Sequence, residues 1–321
     1  MACACALWRK HNVVCEMAAS PAKKRRMITI ARHYRHILFP LLCACGIGIG
    51  VWLLAGRVTQ HQSHARVYFF DVGQGDAALI RLPRGYDVLI DAGPDKTIAH
   101  KLGKSLPFFD RTLEAVILTH PHADHITGLL EILRRYEVQT VITTGVAYES
   151  PVATYLQEEL TRGSIRIEIV AQPQTLELPT GRGDRIEVRY PVESIVGKEV
   201  RDVNTASMVV SFTTGGETFL FMGDAYRAQE DELLAAGSVP RAVVLKVGHH
   251  GSVTSTGLDF LDAVQPRYAI ISVGSDNPYG HPHAAVLDRL REKGITVVRT
   301  DQSGDITFLM EDGGTRMLAG E

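Results

Sequence analysis

Thr119-His120-Pro121-His122-Ala123-Asp124-His125 decides how the rest of the chain is read. It places three imidazoles and a carboxylate within six residues: His120, His122, Asp124 and His125. Ahead of it, residues 114–119 form an apolar, β-branched run that reads as a buried strand. Behind it, residues 126–136 carry apolar side chains at helical spacing. The cluster therefore belongs to a strand-to-helix turn, where several side chains converge while the backbone stays rigid. Imidazole nitrogen and carboxylate oxygen are the ligands of zinc, manganese and iron, and without thiolate the pattern is not that of a closed structural zinc site. The simpler alternative is a histidine-rich surface loop, and so many donors in so short a turn speak against it.

The amino-terminal region has a different composition. Residues 37–56 contain no charged side chain across 20 positions. A helix of that length spans about 30 Å, the thickness of a bilayer core. Arg9, Lys10, Lys23, Lys24, Arg25, Arg26, Arg32 and Arg35 precede it, against Glu16 alone. The expected division is a basic segment over 1–36, a transmembrane anchor over 37–56, a linker over 57–65 and a folded domain over 66–321. The positive-inside rule puts the first segment in the cytoplasm and the domain outside a bacterial cytoplasmic membrane, single-pass. A cleaved signal peptide and a lipoprotein signal at Leu42-Cys43-Ala44-Cys45 are the rivals. The apolar run is long for the first and continues past Cys45 against the second.

All five cysteines precede residue 46, so the domain offers neither disulfide nor thiolate ligand. Eight of the 34 Lys/Arg precede residue 57, but only one of the 36 Asp/Glu does, which leaves a formal −9 on the rest. Bulk charge thus provides no basic face for gripping nucleic acid, although a local patch is compatible with it.

Strands are expected at 66–71, 77–82, 86–91, 114–119, 139–143, 164–170, 186–190, 207–213, 217–222, 242–247, 267–272, 295–299 and 305–310, the last closing the chain. Helices are expected at 96–104, 124–135, 226–236, 256–264 and 283–293. Strands followed by strand–helix alternation, twice over, suggest two packed sheets covered by helices. Val72-Gly73-Gln74-Gly75-Asp76 reads as a hairpin turn, or as glycines allowing close backbone approach to a site with Asp71 or Asp76 at its rim.

The remaining clusters also end apolar strands. Phe221-Met222-Gly223-Asp224 reads as a site carboxylate or a helix N-cap. Gly248-His249-His250-Gly251-Ser252 places adjacent imidazoles between glycines, an arrangement rare in a core. His281, in a proline-punctuated loop, reads as a ligand, an acid or part of a helix-capping loop.

In this order the clusters resemble the metallo-β-lactamase superfamily, and more narrowly the metal-hydrolase domain of the ComEC competence family. The stretches that carry the likeness are 70–77, 89–93, 119–125, 221–224, 245–252, 271–274 and 277–282. The resemblance implies a four-layer αβ/βα sandwich, here preceded by one transmembrane helix, with the site at the sheet edges. It implies that His120 and His122 hold one ion, Asp124 and His125 a second, and that Asp224 bridges them. His249 or His250, with His281, would complete the site, Asp91 would orient a ligand, and Asn277 lies in the last motif. The expected cofactor is one or two divalent ions, zinc first, manganese or iron otherwise. The superfamily often has a histidine where this chain has Asn204, and none occurs between His125 and His249.

The implied activity is hydrolysis by metal-activated water, with DNA or another phosphodiester as substrate. A small ester, nucleotide or lactam is the alternative. Asp124 and Asp224 are placed to manage the proton, and Lys246, Ser252 and Ser255 to hold an anionic group. Two other classes compete: a membrane-tethered, non-catalytic metal-binding or assembly subunit, and redox chemistry at a di-iron site. No flavin-binding domain accompanies the chain. A multi-helix channel needs more than one apolar segment, so DNA uptake is not implied by the fold, and nothing points to a protein partner.

Overall fold

The computed structural model describes residues 64–180, 183–311 and 313–318, together with Cys43, Cys45, Gly46 and Gly48. The expected basic segment, anchor and most of the linker lie outside the described residues. Among the described residues no helix is long and apolar enough to cross a membrane.

Two mixed sheets make the core. The first contains β1 (Arg66–Phe69), β2 (Ala78–Leu82), β3 (Tyr86–Ile90), β4 (Thr112–Ile117), β5 (Glu137–Thr143), β6 (Arg166–Ile169), β14 (Ile306–Glu311) and β15 (Gly314–Leu318), in the order β15-β14-β1-β2-β3-β4-β5-β6. The second contains β7 (Gln174–Glu177), β8 (Arg185–Tyr190), β9 (Val209–Thr214), β10 (Glu217–Phe221), β11 (Val244–Lys246), β12 (Tyr268–Ile271) and β13 (Thr296–Arg299), in the order β13-β12-β11-β10-β9-β8-β7. In each, an antiparallel part passes into a parallel part: β3 pairs parallel with β4, and β10 with β11.

Strand periodicity builds the layers. Val67 and Phe69 of β1, Val210 and Phe212 of β9, and Phe219 and Phe221 of β10 enter the shared core between the sheets. Tyr68 and Phe70 face the other way. That outer face is covered by α1 (Thr97–Ser105), α3 (Leu129–Arg135) and α4 (Pro151–Arg162) through Ile98, Leu102, Leu129, Ile132, Leu156 and Leu160. The outer face of the second sheet is covered by α5 (Arg227–Ala235), α6 (Leu258–Val264) and α7 (Ala284–Glu292). The result is the four-layer αβ/βα sandwich expected from the motif order.

Some expectations are corrected. The helix expected over 124–135 is two: α2 (Ala123–Ile126) and α3. They part at Gly128, where a Cβ would stand 2.0 Å from the Ala92 carbonyl oxygen, so only glycine lets this turn dock so closely. The chain does not close at β14, because β15 pairs antiparallel with it. The stretch before β6 contains α4, whose start is marked by Ser150 accepting from Ala153 N and by Pro151 in its first turn. Strand β7 and the short α8 (Thr300–Ser303) add to the expected elements.

Candidate metal centre

The donors collect where β3, β4, β10, β11 and β12 end. Asp91 follows β3 with φ +56, and its carboxylate receives three donors from the neighbouring strand end and helix. Thr119 N lies 2.8 Å from Oδ1, Thr119 Oγ1 2.7 Å from Oδ2, and His125 Nδ1 2.8 Å from Oδ2. With Nδ1–H donating to Asp91, the neutral His125 ring presents its Nε2 lone pair to the site. Thr119 Oγ1 also lies 3.1 Å from His120 Nδ1, and His120 Nε2 is 3.1 Å from His122 Nδ1.

Asp224 arrives from the second sheet. Gly223 before it has φ +51, and its bare Cα passes Thr119 where a Cβ would be 3.0 Å from the threonine Cβ. Ser207 Oγ accepts from Asp224 N at 3.1 Å. The Asp224 oxygens lie 3.5 Å from His125 Nε2, 3.5 Å from His250 Nε2 and 3.9 Å from His120 Nε2. Asp124 Oδ2 lies 3.4 Å from His250 Nε2 and 3.8 Å from His125 Nε2.

These separations describe donors arranged around common points. Asp124, His125, Asp224 and His250 form one group and His120, His122 and Asp224 another, with the donor atoms of each within 4.8 Å. Asp224 belongs to both. His125 Nε2, His250 Nε2 and Asp224 Oδ1 are buried without a hydrogen-bond partner. Buried lone pairs aimed at one another are costly unless a cation joins them, so the donor set fits one or two divalent ions. A third grouping, Asp76 with Asp91 and His125, has its carboxylates engaged by Lys246, Thr119 and His125 Nδ1, and it supports the ligands from behind.

The adjacent histidines separate. Both occupy left-handed backbone, His249 at φ +47 and His250 at φ +52. Gly251 (φ +79) follows, and a Cβ there would stand 2.6 Å from Pro282 Cβ. His250 Nδ1 lies 2.9 Å from the Ser272 carbonyl, which directs Nε2 into the first donor group. His249 turns aside: Nδ1 is 3.0 Å from Thr254 Oγ1, Nε2 is 3.4 Å from Asn204 Nδ2, and the ring lies against Tyr226 and His281. Asn204 also donates to Tyr226 Oη at 3.0 Å. The His281 ring is 6.3 Å from that of His250 and joins neither group. Asn277 pins its backbone, accepting from His281 N at 3.0 Å and donating to His281 O at 2.9 Å.

Lys246, expected to hold a substrate anion, is engaged within the protein. It is 3% exposed, ion-paired with the Asp76 carboxylate, and its ammonium lies 3.4 Å from the Gly223 carbonyl. Ser252 accepts from Thr254 N and Oγ1, and Ser255 donates to Gly248 O at 2.7 Å. Both therefore hold the histidine turn. Asp71 caps its own loop by accepting from Gly73 N at 3.2 Å. The Gly-Gln-Gly segment is both a hairpin connection and a close approach: β1 and β2 pair antiparallel, while a Cβ on Gly75 would lie 2.2 Å from Asp124 O. Sequence reasoning assigned no role to Thr119, Ser207 or the Ser272 carbonyl. Thr119 stands inside the motif, whereas the other two carry no local signal.

Electrostatics follows from packing carboxylates and imidazoles together. Burial is the largest influence and opposes charge on His125 and His250, but the surrounding carboxylates together outweigh it, Asp224 with Asp91 and Asp124 at His125 and Asp224 with Asp76 and Asp124 at His250, and both are pushed well above the ordinary imidazole value. Burial likewise opposes ionisation of Asp224, and the charges of His250 and His125 hold it well below the usual carboxylate range. Asp124 is lowered in the same way, chiefly by His125 against burial. His120 is pushed well below its usual value by burial and by the neighbouring His125. The carboxylates thus call for positive charge, and a bound cation would displace the imidazole protons that otherwise supply it.

A family model described as the Metallo-beta-lactamase superfamily matches residues 70–275. ComE operon protein 3 of Bacillus subtilis is 34% identical over 265 residues, covering 77% of this chain and 33% of that protein. Competence protein ComA of Neisseria gonorrhoeae is 30% identical over 296 residues, covering 86% of this chain and 38% of that protein. The chain therefore spans little more than a third of the length of these relatives. Among solved structures, the metallo-beta-lactamase fold protein YhfI of Bacillus subtilis aligns at 14% identity with a TM-score of 0.49, over 76% of this chain and 99% of that one.

Proposed function

The chain belongs to the metallo-beta-lactamase superfamily, and from that premise we propose that it is a metal-dependent hydrolase whose substrate is a phosphodiester. The observation that carries the reading is the sharing of Asp224 between two donor groups drawn from both sheets. Bound there, a divalent cation supplies Lewis acidity and brings the pKa of water from about 15.7 toward about 7. Zinc suits the imidazole and carboxylate donors first, with manganese or iron as alternatives.

The protein's own groups do the rest. Asp91 and the Ser272 carbonyl fix the rings of His125 and His250 with Nε2 inward. Asp124 is the site carboxylate that reaches solvent, its side chain 32% exposed against 3% for Asp224. We therefore assign to Asp124 the relay of a proton between a reacting water and bulk solvent, and to Asp224 the holding of charge at the centre. Likeness to competence proteins supports a phosphodiester substrate, DNA among them. The uncharged run 37–56 and its basic flank support a single membrane anchor, with the domain on the extracytoplasmic side.

The test uses the full chain in detergent with bis(p-nitrophenyl) phosphate, DNA, a nucleotide and a β-lactam, before and after chelation. Phosphodiester turnover is expected to vanish on chelation, to return with zinc or manganese, and to fall by at least about a thousandfold in His122→Ala and Asp224→Ala while the circular dichroism is kept. Wild-type rates in either variant refute the reading. Turnover of the nucleotide or lactam alone moves the substrate class, and a fully loaded protein that turns over none of them is the tethered assembly subunit.

A further inference from the structure

A second surface stands at the opposite end of the sandwich. Phe108 and Phe109, in the connection between α1 and β4, are 77% and 90% exposed, their rings packed edge to face at 5.0 Å. Contiguous exposed apolar surface rimmed by polar groups, unlike a single exposed side chain, marks interaction sites.

Strand direction fixes where they lie. β4 runs from Thr112 at this end toward Thr119 and the donors, so the pair sits some 25 Å from His120 at about 3.3 Å per residue. β1 begins at the same end, because Arg66 is registered opposite Arg81 near the end of β2. Arg81 Nη1 donates to Ser105 O at 2.6 Å, and a Cβ on Gly85 would lie 3.6 Å from Asp110 Oδ2. The aromatic loop therefore lies over the β2–β3 turn. The chain arriving from the uncharged run 37–56 enters the fold at this end, after a linker that spans at most about 30 Å. Arg84, in the β2–β3 turn, Lys104, in the last turn of α1, and Arg111, two residues past Phe109 and donating to Tyr136 Oη at 3.2 Å, are exposed at this end. The acidic groups at this end include Asp110, which caps Thr112 N, Glu137, opposite Thr112 on β5, and Glu311, at the end of β14 and paired with Arg316.

We infer that Phe108 and Phe109 seat this end of the domain on a bilayer surface containing anionic lipid, with Arg84, Lys104 and Arg111 at the headgroups and the donor cluster facing away. Aromatic rings flanked by cations are the chemistry of interfacial binding. A linker of at most about 30 Å joined to the start of β1 would limit how far this end could leave the bilayer. This rests on the anchor proposed above, so the experiment reads anchor and docking separately.

Trp8 and Trp52 are the chain's two tryptophans. With both replaced by phenylalanine, Phe109→Trp is introduced in the full chain, reconstituted into phosphatidylcholine–phosphatidylglycerol vesicles whose acyl chains are plain or brominated. Val253→Trp, at the donor edge, is the reference. Flotation reports the anchor. Bromine is expected to quench the tryptophan at 109 several-fold and leave the one at 253 unchanged, and omitting phosphatidylglycerol should weaken the quenching. A chain that floats but shows equal quenching at both positions overturns the docking and leaves the anchor standing. A chain that does not float overturns both. A blue-shifted, bromine-insensitive emission that reddens on dilution assigns the rings to a second copy and also overturns the proposal.

Discussion

Consecutive histidines in left-handed backbone are the most demanding local feature of this protein. Each such residue costs on the order of 1–3 kcal/mol and persists only where surrounding contacts hold it. Here the contacts divide the labour, the Ser272 carbonyl aiming His250 inward and Thr254 with Asn204 holding His249 outside. His250→Ala is expected to weaken zinc binding by at least about tenfold, whereas His249→Ala should keep wild-type metal stoichiometry. Metal analysis after gel filtration, with calorimetric titration, distinguishes them, and equal loss in both variants would contradict the assignment. A second residue-scale expectation concerns Asp87, buried in β3 with both carboxylate oxygens lacking a hydrogen-bond partner and Arg81 Nε 3.9 Å away. Burial raises its pKa to about 7. The folded state therefore keeps a proton that the unfolded chain releases near its ordinary value, 3.8. Its contribution to stability is complete below that value and is lost as pH rises toward about 7, at a slope of up to about 1.4 kcal/mol per pH unit. Asp87→Asn should remove that slope. Urea unfolding of both proteins at acidic and mildly alkaline pH checks it, with the variant expected to be the more stable at the alkaline end.

At the scale of elements, chemistry sits on connections that only small residues allow. The β1–β2 connection presses its backbone onto the donor loop, with Asp76 N 3.3 Å from Asp124 O and Gly75 at φ +141. Gly75→Ala forces a Cβ into that carbonyl, so it should displace Asp124 as well as strain the turn. The expected loss is on the order of 1–3 kcal/mol in stability, with weaker metal binding. Thermal unfolding in chelator and a zinc titration measure the two effects, and a variant that binds zinc normally would show that the connection yields without moving the donors. Gly128 ends α2 for the same steric reason. Apolar periodicity continues unbroken through that point and cannot register a main-chain approach from Ala92 in a distant loop.

At the scale of the molecule, the cation would tie the sheets together. His120, His122, Asp124 and His125 follow β4 of the first sheet, and Asp224 and His250 follow β10 and β11 of the second. The core between the sheets is apolar and does not include these donors. Removing the metal should therefore leave the fold standing and lower its stability. At free metal near a thousand times Kd the difference is about 4 kcal/mol, a fall of roughly 10 °C in melting temperature for a domain of this size. Calorimetry with and without chelator tests it. Collapse of secondary structure at room temperature would show that the metal is needed for folding, and an unchanged melting temperature would show that the donors hold no ion.

Much of this architecture was legible without coordinates. Apolar strands ending in His, Asp and Gly clusters declared the layers, the edge that carries chemistry and the kinds of donor found there, because strand period and ligand type are local properties. Helix α4 was also locally marked, by Ser150 and Pro151, although its face buries little beyond Leu156 and Leu160. What only the tertiary structure decided is who meets whom. Nothing in Gly248-His249-His250-Gly251 says which ring turns inward; a carbonyl on β12's exit decides it. Nothing around Lys246 reveals that Asp76, from the far sheet, occupies its ammonium. Such pairings depend on the register and separation of two sheets whose strands are remote in sequence, and burial then makes each one obligatory because a polar group without a partner there is costly.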